Sequence, residues 1–277
     1  MKPTAKLGLL AALAVMLPML GSAAARAEDL LAKVKAKGEL VVGTEEQFAP
    51  FDFVLNGEHA GLNVDLFAEI GKELGVKITW LDLPWPSVLP GLDAQKFDMV
   101  AGPATATKAR LERYRFSVPV GDATVAILKK KGNTEIMKPQ DIAGKKVGSA
   151  KATAQLAQLQ EFAKTLPQPV QIQEYVDFSQ SYADLAAGRT EAVANSMANI
   201  AYVAQQRSNV FEIVEPPFGA KVYFGYIGRK DEDAKSLMDA IDAAIIKIEE
   251  DGRMAELQKK WFGTTMDLPK TLPEPGF

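Results

Sequence analysis

The chain has 277 residues, 24% of them charged, with a formal net charge of −3. That length allows one large domain or two modest ones, and an acidic balance argues against a nucleic-acid partner, which would favour a basic patch. There is no cysteine and one histidine, His59, so a disulfide framework, a thiolate metal site and a histidine cluster are all excluded; no metal and no cofactor are expected.

Lys2 and Lys6 precede an apolar run, Leu7 to Leu20, interrupted only by Gly8 and Pro18. Small residues from Gly21 to Ala27 follow, with two A-x-A sites. This is the pattern of a secretory signal peptide spanning residues 1–27 and cleaved after Ala27. The run is short for a membrane span, which needs ~20 residues. Removing Lys2, Lys6 and Arg26 leaves 29 basic residues against 35 acidic ones, a net charge of −6 for the exported part.

Beyond the leader, short apolar runs alternate with segments of helical period. Leu40–Val42 reads as a buried strand. Asn63 is placed to cap a helix that carries Leu66, Phe67, Ile70 and Leu74 on one face and closes at Gly75. Val76, Ile78 and Trp80 alternate with polar residues, as in a strand. A short helix over residues 84–92 and a strand over 97–101 follow. A second round begins near Asp141: a strand at 146–148, a helix capped by Thr153, a strand over 170–175, a helix capped by Ser179, a strand at 192–194 and a helix through Ile200 and Val203. This βαβα rhythm predicts α/β architecture, two units, each a mostly parallel sheet flanked by helices. The apolar segments 123–128 and 221–227 each read as a strand running from one unit into the other. Leu237, Ile241, Ala244, Ile245 and Ile248 mark a strong amphipathic helix, Gly252 breaks it, and Met254, Leu257 and Trp261 mark a last one. The tail from Asp267 holds three prolines and reads as irregular. Lys129–Lys131 reads as a solvated face.

Several stretches, in order, carry a resemblance. Gly43–Phe53 with Gly61–Leu66 comes first, then Pro84-Trp85 with Leu89–Leu92, and Lys96–Asp98. Thr105–Arg110 before Phe116-Ser117 follows, then Asp141–Gly148, Ala187–Val193, and Asp251–Arg253 through Lys260–Gly263. Together they cover nearly the whole exported part, which resembles the periplasmic polar amino-acid-binding proteins that serve ATP-binding-cassette importers, solute-binding protein family 3. The resemblance implies a two-lobe clamshell with two crossover hinge strands: residues 28–124 and 222–277 as one lobe, 125–221 as the other. It implies capture of an amino acid or related carboxylate in the cleft, a monomer in the periplasm, and delivery to a membrane permease. The absence of a lipid-accepting cysteine agrees with a free periplasmic protein.

The same resemblance places Arg110 where an arginine grips the ligand carboxylate, a role that suits a planar, always charged guanidinium able to donate two parallel bonds. Thr105 takes the first-lobe hydroxyl position. Thr153 takes the second-lobe carboxylate site, at a helix start where free N–H groups favour an anion. Phe48 and Trp85 correspond to rings flanking the ligand side chain, and Glu45 to an acid that some relatives turn to a cationic or polar side chain. Where relatives carry an aspartate for the ligand ammonium, this chain has Asn195 and Ser196, both neutral. A ligand ammonium desolvated there would lose its main counter-ion, so Glu45, carbonyl oxygens, or a ligand without a free ammonium are the alternatives. Two other classes stand beside the binding reading. One is a periplasmic enzyme of the same fold, like cyclohexadienyl dehydratase, with Glu45 as its best acid. The other is a sensor acting through a separate partner.

Overall fold

The structure, a computed structural model, describes residues 29–277; the leader read over residues 1–27 lies outside them. Leu40 and Val42 are fully buried in a strand, Glu39–Thr44. This strand pairs in parallel with Lys77–Asp82 on one side and Met99–Thr105 on the other. Parallel neighbours need long crossovers, and the helices Leu62–Leu74 and Trp85–Asp93 supply them. Tyr223–Arg229 then adds antiparallel to Met99–Thr105, and Tyr114–Phe116 adds antiparallel to Tyr223–Arg229. A second sheet repeats the plan. Gln171–Tyr175, Lys146–Ala150 and Ala192–Ser196 run parallel, and Val125–Lys130 and Phe211–Phe218 extend them antiparallel.

The protein is thus an α/β two-lobe clamshell. Its sheets are more mixed than the βαβα rhythm predicts, because chain arriving from the other lobe enters each sheet against the local direction. Gly121–Asp122 pairs with Tyr223 and Phe224 in the first sheet, whereas Val125 faces Ser196 and Phe218 in the second. The sequence reads 123–128 and 221–227 as single strands spanning both units; in the structure each belongs to one sheet and only its first residues cross. Lys221 and Asp122 form an ion pair between the two crossing segments.

The first sheet is covered on one face by Leu66, Phe67, Leu237, Ile241, Ile245 and Ile248, all with at most 1% exposure. Each such side chain contributes about 1.5–3 kcal/mol relative to exposure. Trp85, Val88, Leu92 and Phe97 form the core of the other face. The second lobe is built alike, with Leu159 and Val214 on one side and Phe178, Leu185 and Phe211 on the other.

Local chemistry corrects several sequence expectations. Thr153 does cap its helix, Ala154–Lys164, accepting from the Leu156 N–H at 3.1 Å. Helix Leu62–Leu74 starts instead from Gly61, whose φ of 137° excludes a side chain: a Cβ there would lie 2.1 Å from the Phe51 carbonyl oxygen. Asn63 therefore sits inside the helix and is fully buried. Asp177, not Ser179, caps Phe178–Ala186. Lys129 is not on a solvated face. It is 3% exposed, its ammonium donating to the Asn133 carbonyl at 2.9 Å, while Lys130 and Lys131 are exposed. Elements without a strong period were not predicted: helix Leu30–Lys37, strand Phe211–Phe218, and a small sheet of Gln47–Phe48, Asp52–Leu55 and Glu58–Ala60.

Candidate ligand-binding site

The parallel strands of both lobes point their carboxyl ends at a shared cleft, the usual ligand position in open α/β sheets. Glu45 follows strand Glu39–Thr44, Trp85 opens the helix after Lys77–Asp82, Thr105 ends Met99–Thr105, and Thr153 follows Lys146–Ala150. These residues, with Phe48 and Arg110, line a narrow cavity that is partly open to solvent.

Arg110 rides on the short helix Lys108–Arg113, capped by the Thr107 hydroxyl. Its Nη1 donates to the Thr105 carbonyl at 3.0 Å and its Nη2 to the Ala152 carbonyl at 3.2 Å. The guanidinium lies 5.5 Å from the centre of the Trp85 ring, in cation–π range. Burial lowers its pKa to about 10, so it stays charged at neutral pH. Among the described residues no carboxylate forms an ion pair with it; its partners are two backbone carbonyls and a ring.

Trp85 Nε1 donates to the same Ala152 carbonyl, at 3.1 Å. Ala152 holds a φ of 59°, uncommon for a residue with a side chain, and such strain concentrates at functional sites. Two first-lobe donors thus converge on one second-lobe acceptor. Ser179 Oγ also donates to Gln47 Oε1 at 2.8 Å, and Asn199 Nδ2 to the Ala49 carbonyl at 2.7 Å. The two lobes are closed on one another.

Glu45 is 8% exposed. Burial, with the charges of Asp177, Asp82 and Asp52 adding to it, raises its pKa to about 8 against one weak backbone bond, from the Trp85 N–H at 3.4 Å. Its carboxyl is therefore protonated at neutral pH. Phe48 stacks on Phe51 at 5.8 Å, meets Phe224 edge-on at 5.7 Å and lies 5.9 Å from Phe178.

The family model for bacterial extracellular solute-binding proteins, family 3, matches residues 40–264. The chain belongs to this family. The L-cystine-binding protein TcyJ of Escherichia coli (strain K12) is 30% identical over 238 residues, covering 85% of this chain and 87% of that protein. An ancestral arginine-binding protein bound to arginine superposes with a TM-score of 0.75 at 33% identity, over 82% of this chain and 99% of that one. The ancestral amino acid-binding protein AncCDT-1, described as a precursor of cyclohexadienyl dehydratase, gives a TM-score of 0.75 at 28% identity, over 84% and 99%.

In this family-3 solute-binding protein, six of the eight residues singled out in the sequence meet at the cavity: Glu45, Phe48, Trp85, Thr105, Arg110 and Thr153. Asn195 and Ser196 do not line it. Both are fully buried and committed elsewhere. Asn195 Nδ2 donates to Tyr182 Oη at 2.8 Å, and its Oδ1 accepts from the Ser196 N–H at 2.7 Å. Ser196 caps helix Met197–Gln206 and bonds to Asn199. Sequence reasoning missed Gln155, Phe178, Phe224 and the Gly102–Ala104 backbone. Gln155 occupies the first turn behind the Thr153 cap, which was legible, whereas Phe178 follows Asp177, ahead of the residue that the sequence marks as the cap. Phe224 lies on the returning strand, and nothing local marks it.

Proposed function

We propose that this solute-binding protein captures an amino acid, or a closely related carboxylate, in the periplasm and hands it to the permease of an ABC importer. The lobe of residues 28–124 and 222–277 receives the ligand, and residues 125–221 close over it as a monomer. The observation that carries this reading is the guanidinium of Arg110, half-buried at the cavity wall without a carboxylate partner among the described residues. A ligand carboxylate is the group that would complete it, by charge-assisted bonds. Relatives named for L-cystine and arginine support an amino acid as the ligand class.

Domain closure makes the capture selective, because ligand stabilises the closed form only through contacts unique to it. Calorimetry with L-cystine, L-arginine and agmatine, the decarboxylated form of arginine, tests the role of Arg110. Arg110→Ala is expected to cost on the order of 3 kcal/mol in binding, the loss when one partner of a buried pair is removed. Undiminished affinity in that variant, or equal binding of agmatine and L-arginine, would sink the carboxylate reading.

A catalytic reading has one observation in its favour: the protonated carboxyl of Glu45 inside the cleft, where a general acid would sit. Loss of water from a cyclohexadienyl substrate, followed by mass spectrometry, would support an enzyme. Binding without turnover supports the receptor.

A further inference from the structure

His59 stands outside the cavity wall, yet it reaches both ends of the segment that follows Glu45 and carries Phe48. It lies on strand Glu58–Ala60 of the small sheet, whose inner strand Asp52–Leu55 pairs with Gln47–Phe48, Phe48 opposite Asp52. His59 Nε2 is 3.0 Å from Asp52 Oδ1, and Nδ1 is 3.5 Å from Glu46 Oε1. Glu46 and Asp52 bracket Gln47–Phe48 in the chain. The imidazole is 15% exposed and meets Trp80 edge-on at 4.7 Å.

The groups facing it from every side are acidic or neutral. Asp52 and Glu46 belong to its own sheet and the loop entering it. Asp82 and Trp80 come from strand Lys77–Asp82, and Asp82 Oδ1 also accepts from the Glu46 N–H at 2.9 Å. Asn63, from helix Leu62–Leu74, donates to Asp52 and accepts from Tyr226 Oη at 2.7 Å. Burial disfavours the charge on His59, but the bond to Asp52 and the fields of Asp52, Glu46 and Asp82 outweigh it and raise its pKa. Burial raises the pKa of the fully buried Asp52 and of Glu46, while His59 pulls both down, and no cationic side chain other than His59 is bonded to Asp52 among the described residues.

We propose that His59 is a positioning residue for the ligand cleft: as an imidazolium bridging Asp52 and Glu46 it holds the Glu45–Phe48 edge against the ligand. This rests on the reading of Glu45 and Phe48 as ligand-facing residues. Loss of its proton leaves Glu46 and Asp52 without a shared cation, and the edge relaxes. The device is a histidine switch, its titration moved upward from that of a free imidazole by the carboxylates around it, and it is built into the layer supporting the binding residues.

The test needs no ligand, so its failure is separable from failure of the Arg110 reading. His59 is the only histidine, so its ring signal in the NMR spectrum of the full chain is unambiguous. A pH titration is run on Glu45→Gln protein, which removes the ionisation of Glu45 itself. The amide signals of Glu46, Gln47 and Phe48 are expected to shift with the midpoint of the His59 ring. That shared transition is expected to vanish in Glu45→Gln/His59→Gln protein, where glutamine keeps a hydrogen bond to Asp52. Amides that stay still while His59 titrates overturn the proposal, and so does a transition that persists without the imidazole. Should the double variant fail to fold, the first titration decides alone.

Discussion

Trp85 and Ala152 are joined across the cleft, the indole Nε1 donating to the Ala152 carbonyl at 3.1 Å. The same carbonyl accepts from Arg110 Nη2 at 3.2 Å. One acceptor in a strained turn thereby registers both the ring and the cation of the facing lobe. Closure and assembly of the binding wall become one event, as hinge closure around a ligand requires.

Trp85→Phe keeps an aromatic wall and removes one donor to Ala152, while Arg110 still bonds there. A lost hydrogen bond costs about 1 kcal/mol net, close to a fivefold loss of affinity. Calorimetry should show that loss, and small-angle scattering a smaller closed fraction. Wild-type affinity in the variant would mean that the indole bond does not hold the lobes together.

Glu45 makes stability depend on pH. Its pKa rises from 4.5 to about 8 on burial, so between those values the folded chain keeps a proton that the unfolded chain has lost. Stability then falls as pH rises through that window, because the native state binds more protons. Below pH 4.5 both states are protonated and the effect is absent. Glu45→Gln removes the penalty, so its stability relative to wild type should climb between pH 5 and pH 8 by on the order of a few kcal/mol in urea unfolding. Parallel curves for the two proteins would show that the carboxyl is hydrated.

Gly61 has no room for a side chain. Alanine there would place Cβ 2.1 Å from the Phe51 carbonyl oxygen, with φ at 137°. Gly61→Ala should destabilise by roughly 3 kcal/mol or more, from backbone strain plus a displaced neighbour. Gly252, with φ 87° and nothing within 4 Å, isolates the strain alone. Gly252→Ala should cost about 1 kcal/mol. Equal losses in urea unfolding would show that crowding at Gly61 is relieved by a shift of the chain.

Much of the fold was legible because its signals are local. The helix of Leu237, Ile241 and Ile245 is marked by period alone, and Thr153 caps its helix through partners close in the chain, its hydroxyl accepting from the Leu156 N–H and donating to the Ala150 carbonyl. Asn63 misled for the opposite reason. It is a good cap by type, but a buried carboxylate, Asp52, and a tyrosine 163 positions away, Tyr226, claim its amide. Lys129 misled likewise, its ammonium folding back onto a carbonyl four residues on.

The chain's own order of residues determined its α/β class, its two-unit organisation and the absence of cysteine chemistry, since period, caps and composition act between near neighbours; the six side chains that meet at one cavity were marked by the family resemblance. Tertiary structure alone decided that Arg110 and Trp85 share the Ala152 carbonyl, that Asn195 and Ser196 turn away from the cavity, and that Glu45 keeps its proton. Those outcomes depend on desolvation and on partners brought together from distant parts of the chain, and neither is encoded at a single position.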